Sequence, residues 1–219
     1  ITNLKIVGKI NGTDLKFIRE MAGRDFYMKK TDGKLSILDL SDAKIVEGGF
    51  AYIWYYGNNM YTSNDKLGNY VFYDCSGLTS LTLPSSVTSI GWYAFYGCSG
   101  LTSLTIPSSV TSIGWYAFYG CSGLTSLTLP SGVTSIGYEA FRGCSGLTSL
   151  TIPSSVTEIG DYAFKGCSGL TSLTLPSSVT LICWGAFEGC SGLTSIYAYL
   201  EKIPKLGSDV FTGCDAKNC

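Results

Sequence analysis

The chain has 219 residues, of which 45% are hydrophobic, and a formal net charge of −1 from 15 basic and 16 acidic side chains. Such a chain can build a full core, and its balanced charge gives no indication of a nucleic-acid surface. Histidine is absent, which excludes imidazole-dependent catalysis and imidazole zinc sites. No apolar run approaches the ~20 residues of a membrane-spanning helix.

A helix is predicted near the start of the chain, in a segment rich in charged side chains. Apolar residues recur at helical spacing between Asp14 and Ala22. Asp14 is the predicted N-cap, and Gly23 is expected to end the helix. Short apolar alternations before and after the helix predict flanking strands.

Residues 48–65, with the sequence GGFAYIWYYGNNMYTSND, are predicted to form a long aromatic loop. One interpretation is that its aromatic side chains pack on the preceding segment. The other is that the segment is a binding loop, because functional residues are often carried on loops.

From about residue 67 onward, a unit close to CSGLTSLTLPSSVTSIGxxAFxG recurs every 23 residues. A fixed period in this range predicts a solenoid, and a solenoid needs capped ends. We therefore divide the chain into an N-terminal α/β cap with one helix and the long loop, residues 1–66, and repeats of 23 residues, residues 67–219.

Within each unit, the L-x-x-L-x-L spacing predicts a strand such as 78–83, with alternate leucines facing inward and Pro84 closing the strand. A second short β-like run is predicted at 87–90. Equivalent strands should pair in parallel, so that equivalent apolar residues stack. The main inward ladders are Leu81, Leu104, Leu127, Leu150 and Leu173, and Phe95, Phe118, Phe141, Phe164 and Phe187.

The complete unit, LTSLTLPSSVTSIG followed by AFxGC, resembles the BspA-like (Treponema-type) leucine-rich repeats over about residues 67–214. The N-terminal segment is also similar to the lead-in of gut Bacteroides members. The resemblance implies a β-rich solenoid, a right-handed leucine-rich-repeat stack with a parallel β-sheet on one face. It also implies a secreted or surface-attached bacterial protein without enzyme activity, and many family members are suspected of adhesion. Fold alone does not fix function.

Six of the nine cysteines occupy one equivalent position and are predicted to point inward as free thiols. They are Cys75, Cys98, Cys121, Cys144, Cys167 and Cys190. Parallel side chains in a ladder point the same way, although neighbours one coil apart could lie within bridging range. Disulfides remain open for Cys183, Cys214 and Cys219. A linear ladder does not converge four thiolates, so we expect no metal and no cofactor.

Glu139 and Asp161 could meet across adjacent coils, which would permit a carboxylate-pair glycosidase. The simpler interpretation is solvated surface charge, and we predict that the chain is not an enzyme and has no catalytic residues.

The repeats vary mainly at two positions after SIG and one after AF. Because Ala94 and Phe95 fill inward positions, the variable side chains should point outward and form an aromatic surface over the first coils. Aromatic residues are favoured in interfaces. The candidate ligand-binding residues are Trp92, Tyr93, Tyr96, Trp115, Tyr116, Tyr119 and Tyr138. Alternatively, these rings pack on one another and only shield the edge of the stack.

The favoured function is a non-catalytic binding or adhesion module for a host or microbial surface protein or glycan. The rival is a structural surface stalk that displays another domain. The expected location is extracellular or at the bacterial cell surface. The last complete strand, around 195–199, should lie at a sheet edge, which predicts either a longer natural protein or end-to-end self-association.

Overall fold

The computed structural model describes residues 1–199 and 202–215 as a stack of short β coils preceded by an N-terminal α/β segment, for which we keep the name cap. The cap contains strand β1 (Asn3–Ile10), helix α1 (Gly12–Met21), strand β2 (Ile37–Ile45) and strands β3 (Gly48–Tyr55) and β4 (Asn58–Thr62). The later strands are β5 (Lys66–Leu67), β6 (Ser80–Thr82), β7 (Ser89–Ile90), β8 (Ser103–Thr105), β9 (Ser112–Ile113), β10 (Ser126–Thr128), β11 (Ser135–Ile136), β12 (Ser149–Thr151), β13 (Glu158–Ile159), β14 (Ser172–Leu175), β15 (Leu181–Ile182), β16 (Ser195–Ala198) and β17 (Lys205–Leu206).

The strands of successive coils pair in parallel and form two columns, as the repeat predicts. The first column contains the sheets β1-β2-β6-β8 and β10-β12-β14-β16, and the second contains β5-β7-β9 and β11-β13-β15-β17. The register pairs residues one period apart, such as Leu81 with Leu104. Strand β2 pairs in parallel with β6, so the cap continues the first column.

The predicted inward ladders are confirmed and form the core. All five phenylalanines of the ladder have 0% exposure, and their rings stack with centroids 5.1–5.3 Å apart and planes within 13° of parallel. The leucine ladder and the six equivalent cysteines are also buried. The apolar alternation in each coil therefore specifies one continuous core along the stack.

Helix α1 begins earlier than the sequence predicts, so the assignment of Asp14 as N-cap is wrong. The N-cap is Asn11, whose Oδ1 accepts a hydrogen bond from the N–H of Thr13 at 2.9 Å. Asp14 is the third helical residue, and its carboxylate accepts from the N–H of Asn11 at 2.9 Å. The two bonds form a capping box. Gly23, with φ of 98°, follows the helix as predicted.

The segment 48–65 is not a loop but an antiparallel hairpin of β3 and β4. Alternation along β3 decides which aromatic side chains are covered, because successive residues face opposite sides. Tyr52 is buried, whereas Phe50 is 78% exposed.

Cap side chains satisfy backbone groups of the first coil. Between later coils, the N–H of one coil donates to a carbonyl of the next, as from Phe95 to Ala117. The first coil has no preceding coil to supply such donors. In their place, the Tyr52 hydroxyl donates to Asn69 O at 2.8 Å, and the Arg19 guanidinium donates to Val71 O at 2.7 Å.

Strand pairing in both columns is interrupted at one seam, between β8 and β10 and between β9 and β11, within the described residues. Gly132 lies at this seam in place of the second serine of SSV. In three other coils that serine donates to the preceding coil, as Ser155 does to Val133 O at 2.6 Å. The turns on the aromatic side remain joined across the seam, since the N–H of Phe118 donates to Ala140 O at 2.8 Å.

Candidate functional site

The variable positions form three columns of aromatic side chains, because every coil repeats the turn that follows SIG. Adjacent rings within a column are 4.5–5.4 Å apart between centroids and within 11° of parallel. We refer to these as the aromatic columns: Trp92 and Trp115; Tyr70, Tyr93 and Tyr116; and Tyr73, Tyr96 and Tyr119.

Four tyrosines of the candidate site, Tyr93, Tyr96, Tyr116 and Tyr119, are half-buried and cover one another's ring faces. Tyr93 and Tyr116 adopt the left-handed region, with φ of 57° and 58°. This conformation is unfavourable for residues with a Cβ. Burial raises the pKa of both phenols to about 12. Stacking therefore leaves mainly the ring edges of these tyrosines to solvent.

The tryptophan column is more open, with Trp92 51% and Trp115 53% exposed. Each indole lies over the glycine of the next coil: a Cβ on Gly137 would be only 2.9 Å from Cδ1 of Trp115. One face of Trp115 packs on Trp92. The next ring, Tyr138, is tilted by 64° at 6.4 Å instead of stacking. The column of parallel indoles therefore ends at Trp115.

Charged side chains continue the tyrosine columns, and one of them corrects a sequence-based expectation. Glu139, expected as a solvated surface charge, is 5% exposed. It occupies the Tyr116 column, where neighbouring coils cover it, and its Oε2 lies 3.1 Å from Nη1 of Arg142. The Arg142 guanidinium lies 5.6 Å from the Tyr119 ring centroid. The Glu139 carboxylate thus pairs with Arg142, not with Asp161.

A cavity of about 720 Å³ lies beyond Trp115. Its lining includes four candidate residues, Tyr93, Trp115, Tyr116 and Tyr138, whereas Trp92, Tyr96 and Tyr119 lie outside it. The lining also contains Glu158, Asp161 and Cys183, which sequence reasoning did not assign to the site.

Glu158, Asp161 and Cys183 share a sequence feature that could have identified them as part of the site. Each departs from the repeat consensus: Glu158 replaces the serine of SIG, Asp161 an aromatic residue and Cys183 the glycine. The departures occur in two successive coils and line one cavity.

The carboxylates of the cavity differ in their partners. Asp161 Oδ1 accepts from the N–H of Trp184 at 2.9 Å, a bond that Asn69 makes to Trp92 at 2.8 Å in the first coil. Glu158 is exposed, and its Oε1 lies 3.8 Å from Sγ of Cys183. Burial, followed by the charge of Glu158, raises the pKa of that thiol. In the part of the chain that the structure describes, neither carboxylate forms an ion pair.

The six ladder cysteines are buried free thiols, as predicted. Each from Cys98 to Cys190 donates to the carbonyl of the phenylalanine 26 residues earlier, as Cys98 does to Phe72 O at 3.0 Å. Burial raises the pKa of Cys144 to about 12. Cys183 is also reduced. Cys219 lies outside the described residues, so a bridge to it stays a prediction.

Within residues 1–199 and 202–215, no helix is long and apolar enough to cross a membrane. No group of three or more His, Cys, Asp or Glu side chains there is arranged to hold a metal ion.

Several solved structures resemble the chain. The leucine-rich repeat protein TpLRR of T. pallidum is 37% identical, with a TM-score of 0.65 over 68% of this chain and 69% of that chain. A leucine-rich cell surface protein from Faecalibacterium prausnitzii is 32% identical, with a TM-score of 0.53 over 74% and 47%.

A leucine-rich repeat protein from Bacteroides ovatus shares the fold, with 24% identity and a TM-score of 0.69 over 97% of this chain and 49% of that chain. The present chain therefore spans about half the length of the Bacteroides and Faecalibacterium proteins. None of the functionally curated proteins compared with it matches.

Leucine-rich repeat proteins generally act in protein binding or scaffolding and are typically non-enzymatic. The profile of the BspA-type leucine-rich repeat region matches six copies, over residues 56–171 and 111–219. With its 23-residue coils, stacked phenylalanines and buried thiols, the chain belongs to the BspA-type leucine-rich repeat family.

Proposed function

We propose that the chain is a non-catalytic adhesion module that binds a protein or glycan partner at the bacterial cell surface. The observation that carries the proposal is the open end of the tryptophan column, where the half-exposed Trp115 borders a cavity of about 720 Å³. That volume is in the range of ligand pockets. Exposed aromatic side chains of this size are typical of binding surfaces.

The site we propose comprises the seven candidate residues, with Trp92 and Trp115 as its most accessible members. Tyr93, Tyr96, Tyr116 and Tyr119 contribute ring edges and hold the surface rigid through stacking. A rigid surface loses little conformational entropy when a partner binds. Tyr138 lies at the border between the column and the cavity.

The proposed location rests on family membership and on the Faecalibacterium relative, which is named a cell surface protein. We further propose that residues 1–66 serve as the cap of the repeat domain. End-to-end association through the edge strand β16 stays a prediction.

The structural stalk remains a second candidate, favoured by one observation. The tyrosine faces are covered by one another, which is the arrangement expected if these columns stabilise the stack and bind nothing. The two candidate functions make different predictions for Trp92 and Trp115, because a structural stalk would not require exposed indoles at these positions.

A glycan array and a screen of immobilised matrix proteins would identify a partner, and the double variant Trp92→Ser/Trp115→Ser would test the site. We expect saturable binding that the double variant weakens by more than ~2 kcal/mol, the scale of interface hot spots. Circular dichroism checks that the variant is folded.

The matched control is Trp54→Ser in the hairpin, which removes a 41% exposed indole that does not line the cavity. Loss of binding in the control alone would move the site to residues 48–65. Absence of any ligand for the wild-type chain would favour the stalk.

A further inference from the structure

The departures from the repeat consensus around the cavity change its charge as well as its shape. The row that contains Trp92 and Trp115 continues as Tyr138, Asp161 and Trp184. The short side chain at 161 leaves a gap in the row of rings. Glu158 adds a second carboxylate beside the gap, at a position where the three preceding coils have Ser89, Ser112 and Ser135.

Among the described residues, the lining of the cavity therefore combines aromatic surface with two carboxylates and contains no lysine or arginine. Lys205, which continues the strand column of Glu158 two coils further on, lies outside the lining. Asp161 Oδ1 is occupied by the N–H of Trp184, whereas the carboxylate of Glu158 is exposed. A neutral ligand that displaced water here would desolvate the Glu158 carboxylate without supplying an ion pair, which is unfavourable. A cation would compensate that charge.

The shape of the aromatic part favours one kind of cation. The indole of Trp115 is covered on one face by Trp92, while Tyr138 stands edge-on beyond it. A planar guanidinium can stack on an aromatic face and at the same time donate two hydrogen bonds to a carboxylate. An ammonium group is compact and more strongly hydrated, and it cannot make both contacts as well.

We propose that this cavity binds an arginine side chain of a protein partner, with the guanidinium stacked against Trp115 and paired with Glu158 and Asp161. The cavity is larger than one side chain, so it also accommodates the neighbouring backbone of the partner. This inference rests on the proposed function, because it names the chemistry that the binding site would recognise.

Cys183 provides a local readout, because it lines the cavity while the ladder thiols are fully buried. The probes are the blocked peptide acetyl-Gly-Gly-Arg-Gly-Gly-amide and its citrulline counterpart, which is nearly isosteric but uncharged. Alkylation of Cys183 by iodoacetamide is followed by peptide mapping, and protection is expressed relative to each variant without peptide. This ratio removes the effect of Glu158 on the intrinsic reactivity of the thiol.

We expect the arginine peptide to protect Cys183 saturably and the citrulline peptide not to protect it. The double variant Glu158→Gln/Asp161→Asn should weaken protection by about tenfold, the scale of one lost charge-assisted contact. Asparagine at 161 should preserve the fold, because Asn69 already accepts the equivalent N–H in the first coil. The matched control, Asp32→Asn, removes an exposed charge in the cap and should leave protection unchanged.

Equal protection by the two peptides, or no effect of the double variant, would overturn the assignment of a cation. Protection by a chito-oligosaccharide without protection by the arginine peptide would also overturn it, in favour of a neutral glycan. In each case, loss of partner binding in the Trp92→Ser/Trp115→Ser variant would leave the proposed function intact. Failure of that variant to affect binding would count against the proposed function itself.

Discussion

The thiol of Cys144 donates a hydrogen bond to the carbonyl oxygen of Phe118, with Sγ and O 3.2 Å apart. The same phenylalanine carbonyl accepts the N–H of Cys121 within its own coil at 3.1 Å. Each ladder thiol after the first therefore binds the coil before it while filling the core. This dual contact explains why cysteine, which is both apolar and a weak donor, occupies this position.

Replacement of Cys144 by alanine should lower the free energy of unfolding by roughly 1–3 kcal/mol, because it removes buried volume and the hydrogen bond to Phe118. Urea denaturation measures the change. Cys183→Ala is the control, since that thiol is only half-buried. A loss of stability for Cys144→Ala no larger than that for Cys183→Ala would contradict the expected contribution of the ladder contact.

Phe141 lies in the middle of the phenylalanine ladder, between the rings of Phe118 and Phe164 at 5.1 and 5.3 Å. Phe141→Ala should cost about 3–5 kcal/mol of stability through a cavity in the core. Phe50→Ala, at a residue 78% exposed, should stay within about 0.5 kcal/mol of wild type. An unchanged thermal melt for Phe141→Ala would contradict the inward assignment.

Tyr116 combines a left-handed backbone, φ 58°, with a stacked ring. Both Tyr116→Ala and Tyr116→Gly lose the stacking, but only glycine relieves the backbone strain. We therefore expect the glycine variant to be more stable than the alanine variant by roughly 1 kcal/mol. In regular strands and helices, by contrast, the alanine variant is usually the more stable of the two. Denaturation curves of the two variants measure this difference in stability. A more stable alanine variant would contradict the strain argument.

The tyrosine columns should make the protein sensitive to alkaline pH. Burial raises the pKa of Tyr93 and Tyr116 to about 12 in the folded chain, against about 10 for an unfolded tyrosine. A folded-state pKa above the unfolded value means that the stability is fully present below pH ~10 and is lost as the pH rises through about 12.

Denaturation measured between pH 9 and pH 12, together with phenolate absorbance, checks this expectation. The variant Tyr116→Phe keeps a stacking ring but cannot ionise, so its stability should fall less over the same pH range. A pH dependence identical to that of wild type would argue against titration of this column.

Substitution of Gly132 tests whether the hydrogen bond missing at the seam lowers the stability of the stack. A serine there should donate to Val110 O, as Ser155 does to Val133 O at 2.6 Å. Its Cβ would lie 3.1 Å from Cγ2 of Thr111, a close contact that the unpaired strands at the seam allow to relax. We expect Gly132→Ser to raise stability by roughly 1 kcal/mol and Ser155→Gly to lower it by a similar amount. Lower stability of Gly132→Ser in thermal melts would show that the seam cannot relax.

The sequence alone determined the repeat, the inward ladders and the strand pairing. In each 23-residue unit, leucines two positions apart, such as Leu81 and Leu83, lie on the same face of a strand. A single coil is too small to bury that face, so the coils bury it by stacking on one another. The inward direction of Phe95 and Cys98 follows from the same repetition, and so does the outward direction of the variable side chains.

The tertiary structure decided what the departures from the repeat do. From the sequence, Glu139 is indistinguishable from an ordinary charged surface residue. It is buried only because adjacent coils cover it, and its carboxylate forms an ion pair with Arg142. Likewise, Glu158 and Cys183 are 25 residues apart, and they meet because one turn of the solenoid returns the chain beside itself. Local pattern sets which way a side chain points, whereas burial, pairing and the shape of a cavity depend on the neighbours that stacking brings together.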